Sequence, residues 1–168
     1  MIRFFSTGYI SRYLFIVFFG IIIWLPSFLM PSGYIDVNSN VYGVLISIFP
    51  QNNLVFTIIS FIVTLFSAIL LNRFAITSGM VSKVSTLIIA LFMIFSSALV
   101  EDYHNNPIIW INLLLIFVWG NIMELPYSKN PIPIIFNASF LLGIASLFYT
   151  QLVFLFVFIW LSIFIHRI

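Results

Sequence analysis

The chain contains no cysteine. That excludes a disulfide frame, thiolate chemistry and any metal site built on cysteine, and it leaves the redox compartment open. Charge is nearly as scarce. Only 6% of the 168 residues are Asp, Glu, Lys or Arg, against roughly 25% in soluble domains. So few charged side chains cannot clothe a soluble domain of this length. The basic residues stand singly, so there is no basic patch, and nucleic acid is not expected as a partner. Also missing are a glycine-rich phosphate loop, a nucleophile elbow, an HExxH helix and a lipidation signal. No cofactor is expected.

What is present is apolar: 63% of the residues are hydrophobic, 21 of them phenylalanine. Bilayer lipid is then the expected solvent. The chain is read as one all-α domain over 1–168, a polytopic integral membrane protein with about six transmembrane helices. A long stretch from Ile132 to Ile165 carries no charge. As a single helix this stretch would extend about 50 Å at about 1.5 Å per residue, across a hydrocarbon core only about 30 Å thick. Two short spans, 132–149 and 152–165, meeting at the polar cluster Tyr149-Thr150-Gln151, fit better. The other spans are predicted at about 13–30, 54–71, 84–100 and 108–123. A short interfacial helix is expected at 41–49, which is too short to cross. The first apolar run exceeds a signal-peptide core and lacks a small-x-small cleavage site, so it is read as an uncleaved span.

Six spans put both termini on one side. The segments on that side carry Arg3, Arg12, Arg73, Lys83, Lys129 and Arg167, which are all six basic residues. The other side carries Asp36, Glu101 and Asp102 and no Lys or Arg. The positive-inside rule then makes both termini cytoplasmic. The tyrosines fall at or beyond span ends, and Trp24, Trp110, Trp119 and Trp160 fall near them, as an interfacial aromatic belt would have it.

Candidate chemistry is sparse. No span interior holds an ionisable residue, which argues against an ion-coupled transporter. Asp36, the only acid between the first two spans, is a candidate catalytic base; a turn-forming aspartate is the alternative. Glu101, Asp102 and His104 have metal-capable side chains, but their spacing matches no established zinc pattern, and a loop after a span is where charges belong. Asn112, Asn121 and Asn137 lie inside or at the ends of spans, where amides more often bind a neighbouring helix than a substrate. Ser139, Gly143 and Ser146, at i, i+4, i+7, make a strip of small residues for close helix packing, within the chain or with a membrane-protein partner.

The run Asn137-Ala138-Ser139-Phe140-Leu141-Leu142-Gly143-Ile144-Ala145-Ser146-Leu147-Phe148-Tyr149, followed by a further apolar span, resembles the signature of a family of bacterial polytopic inner-membrane proteins with no assigned activity. A looser likeness extends back to Asn53. The resemblance implies a bacterial inner (cytoplasmic) membrane. Members continue past the position of Arg167, which implies a fragment of a longer protein or a short member. The chain is also faintly similar to membrane glycosyltransferases that use polyprenyl-phosphate sugars. Asp36 occupies the place of their outer-loop acid and 41–49 that of their interfacial helix, but the usual acidic pair is missing. The expected function is a non-catalytic scaffold or assembly component of a membrane complex. A lipid-linked-sugar glycosyltransferase-like or lipid-handling enzyme is one alternative, and a transporter the second.

Overall fold

The computed structural model of the chain describes residues 9–31, 42–44, 47, 52–81, 85–98 and 106–166. All the regular structure among them is helical. Helix α1 is Tyr9–Leu29, α2 Asn53–Thr77, α3 Leu87–Ala98, α4 Pro107–Glu124, α5 Pro131–Phe148 and α6 Phe156–His166, with 3-10 turns at Leu125–Tyr127 and Thr150–Leu155. Three segments, Asn53–Thr77, Pro107–Tyr127 and Pro131–Phe148, are long and apolar enough to cross a membrane. The described chain is therefore helical, with helices suited to a membrane.

Local chemistry sets the helix ends. The Asn52 side-chain oxygen accepts from the Leu54 N–H at 3.0 Å, and that of Asn106 accepts from Ile108 at 3.1 Å, so each caps the helix after it. Pro107 and Pro131 open α4 and α5, where a missing N–H costs nothing. α2 stops at Thr77-Ser78-Gly79, a run whose residue types favour a turn. Gly79 takes φ +73°, a left-handed conformation open to glycine, and the Met80 N–H closes back onto Ala75 O at 3.0 Å.

The uncharged stretch breaks at Tyr149, whose extended backbone (φ −148°, ψ 104°) ends α5. The next segment differs from the helix expected over 152–165. Thr150–Leu155 is a 3-10 turn, and α-helix begins only at Phe156. A chain reversing just after a helix end favours the tighter winding, and Leu152 N–H reaches Tyr149 O at 3.0 Å in an i→i+3 bond. At about 2.0 Å per residue the turn also gains length that α-helix would not supply.

The chain divides into two compact units. The first is Met1–Asp36 with Pro50–Ile109, and it contains α1, α2 and α3. Its core groups Ile16 and Trp24 of α1, Ala68 of α2 and Ile89 and Met93 of α3, with Phe28, Phe61 and Leu65 packed around them. Gly20 allows this approach: a β-carbon there would lie 2.9 Å from the Met93 methyl. Trp24 is a correction to the sequence reading. It is fully buried between helices, edge-on to Phe61 at 5.6 Å, rather than part of an interfacial belt. Hydropathy places an aromatic near a helix end but does not say which way it faces. Trp119 and Trp160 are exposed, as belt residues would be.

The second unit is Val37–Phe49 with Trp110–Ile168. Val118 of α4, Ala138 and Leu142 of α5 and Ile159 of α6 form its core. Other positions of α6 present bulky apolar side chains outward, among them Phe158, Trp160 and Phe164. Of the predicted interfacial helix 41–49, residues 42–44 and 47 are described. Residues 42–44 are helical, with Tyr42 buried.

Candidate helix-packing site

The structure distributes the predicted site residues unevenly. Asp36, Glu101, Asp102 and His104 lie outside the described residues. Among the described residues no cluster of three or more His, Asp and Glu could hold a metal ion. Asn112 is exposed on α4. Asn121 donates its amide to Phe117 O at 2.8 Å, so it satisfies its own helix.

On α5 the buried residues are Ala138, Leu142, Ala145 and Phe148. Ser139, Gly143 and Ser146 each sit one position further along and are half-buried, while Asn137 is exposed. The predicted strip thus borders the packed face instead of forming it. A β-carbon built on Gly143 would meet nothing within 4 Å. Among the described residues of the second unit, no close helix approach is made at Gly143. Ser146 turns its hydroxyl to Gly143 O at 2.7 Å, a local bond that leaves the notch open. Two stacked phenylalanines, Phe136 and Phe140, with centroids 6.1 Å apart, stand exposed two turns and one turn before it.

Close packing through small residues occurs elsewhere. The buried residues of α2 include Thr57, Ser60, Thr64, Ser67, Ala68, Asn72 and Ala75, recurring every three or four positions. In lipid, helices associate through such seams, because apolar side chains gain nothing by leaving the bilayer. The hydroxyls of Thr57 and Thr64 donate to Asn53 O and Ser60 O, at 3.0 and 2.8 Å, so these two cost the seam little. The sequence reading missed this seam, although α2 carries the same small-residue spacing that marks α5. Two such strips in one chain cannot be ranked without knowing which helices adjoin.

An apolar cavity of about 170 Å³ lies beside the core of the second unit, lined by Leu115, Val118, Trp119, Ile122, Leu142, Leu155 and Phe158. Its walls offer no acid, base or nucleophile.

Among the described residues, Tyr42 has a displaced titration. Burial pushes its pKa above the ordinary value of about 10, because ionisation would place a charge where water is excluded. The folded state thus holds the proton more tightly than the unfolded state. Stability is unaffected below about pH 9 and falls as pH rises past 10, where only the unfolded chain ionises freely. Melting in detergent between pH 8 and 11 should show a shallower alkaline decline for Tyr42→Phe than for the parent. Parallel curves would mean that Tyr42 is ionised as readily folded as unfolded.

No protein-family model, no curated protein and no solved structure matches the chain.

Proposed function

We propose that this protein is a non-catalytic scaffold or assembly component of a bacterial inner-membrane complex, crossing the membrane six times with both termini cytoplasmic. The observation that carries the reading is Gly143. An open glycine notch sits on a helix long and apolar enough to cross a membrane, flanked by Ser139 and Ser146, and no described residue of the second unit fills it. A partner helix is the natural occupant, since small residues let backbones approach in lipid.

Six crossings are supported by three shorter apolar helices at Leu14–Leu29, Leu87–Ser96 and Thr150–Ile165, beside the three long ones. The last of these is not too short. Its 6 residues of 3-10 turn at about 2.0 Å each and 11 of α-helix at about 1.5 Å reach about 28 Å, close to the hydrocarbon thickness. The segregation of all basic residues supports the orientation. The likeness of Asn137–Tyr149 to the inner-membrane family supports the location.

Gly143→Leu tests the reading. The side chain enters open space, so the melting temperature in detergent should stay within a degree or two of the parent. A component recovered with the parent in mild detergent should be lost from the variant. Equal recovery from both proteins would remove Gly143 from any interface and the scaffold reading with it.

A further inference from the structure

We infer that the α2–α3 hairpin holds a buried water between Asn72 and Thr86. Both side chains are almost wholly enclosed, at 2% and 3% exposure, and neither the Asn72 Oδ1 nor the Thr86 Oγ1 has a hydrogen-bond partner. Both lie at the same end of the hairpin. Ala68 and Ile89 belong to the core of this unit; Asn72 is one helical turn beyond Ala68 toward the connecting turn, and Thr86 immediately precedes α3. Two enclosed oxygens at the same end of one hairpin, each lacking a partner, are groups that a bridging water can satisfy together.

The chemistry of the pair selects the guest. Oδ1 only accepts, whereas a threonine hydroxyl accepts or donates. A water can donate to the amide oxygen and satisfy the hydroxyl in either sense. A cation fits poorly, because two neutral oxygens offer no countercharge and Arg73 is the very next residue after Asn72. Ser67 also has an unpartnered hydroxyl, but it needs no guest, since a helical serine can turn to the carbonyl four residues before it. Asn72 has no such local outlet for both its groups. Access is short: Asn72 lies in the second-last turn of α2, next to the exposed Arg73.

Solid-state NMR of the whole protein in lipid bilayers reads this directly, as polarisation transfer from water to asparagine side-chain amides. Asn72→Leu identifies the Asn72 signal by its loss. That signal should build up as fast as the exposed Asn130 amide, despite its burial, and should slow several-fold in Thr86→Val. Thr86→Ser, which keeps the hydroxyl, should preserve the fast transfer and guards against misfolding of the valine variant. Transfer to Asn72 as slow as that to the buried Met93 methyl overturns the inference, as does fast transfer indifferent to Thr86→Val.

Discussion

Trp24→Ala should be the most damaging single substitution in the first unit, at about 3–5 kcal/mol for removal of a fully enclosed tryptophan. The indole sits among Ile16, Ala68, Ile89 and Met93, with Phe61 edge-on at 5.6 Å. Aromatic edge-to-face pairs add about 0.5–1.5 kcal/mol beyond burial, and that contribution is lost as well. The range derives from proteins unfolding into water. Here the unfolded helices still sit in lipid, so the transfer part shrinks and the cavity part dominates, which points to the lower half of the range. Melting or denaturant titration in detergent measures it. Trp160→Ala is the control: its ring is 74% exposed and its truncation should cost under about 1 kcal/mol. Equal losses from Trp24 and Trp160 would show that the three-helix core is not packed as described.

Leu142→Ala is the counterpart in the second unit, with an expected cost of about 2–5 kcal/mol. Leu142 is fully enclosed against Val118, Ala138 and Ile159, and it also lines the 170 Å³ cavity. Truncation therefore enlarges a space that already exists. Its walls are held by three helices, so collapse into the gap is limited, and limited collapse is what makes such losses large. Phe140→Ala, two positions away on the exposed side of α5, removes a larger side chain yet should cost far less. The ordering carries the test: if Phe140→Ala lowers the melting temperature more than Leu142→Ala, the outward and inward faces of α5 have been exchanged. Gly143→Leu separates from both, since it should leave stability intact and alter only association.

How far the site was legible depends on the kind of information involved. The break at Tyr149 was readable because an uncharged stretch of that length exceeds the membrane, a limit of length alone. The turn at Gly79 was readable because glycine is the residue that accepts positive φ. The choice between the small-residue strips of α2 and α5 was not readable, nor was the side of α5 that packs. Ala138, Leu142 and Ala145 are buried where Ser139, Gly143 and Ser146 were expected. The two triplets have identical spacing and differ by one residue, or about 100° around the helix.

By itself the sequence determined that this chain is helical and suited to a membrane, and it also placed the turns at Gly79 and Tyr149. Both are consequences of solvent and length: scarce charge demands lipid around the chain, and a hydrocarbon core of fixed thickness limits each helix. It likewise made the sign of charge on each connecting segment plain. Tertiary structure alone decided which face of each helix is inside. In water an apolar stripe marks the buried face. In a bilayer both faces are apolar, so composition cannot distinguish the side that meets protein from the side that meets lipid. That is why Trp24 lies in a core rather than a belt, and why Gly143 borders the packed face of α5 instead of lying in it.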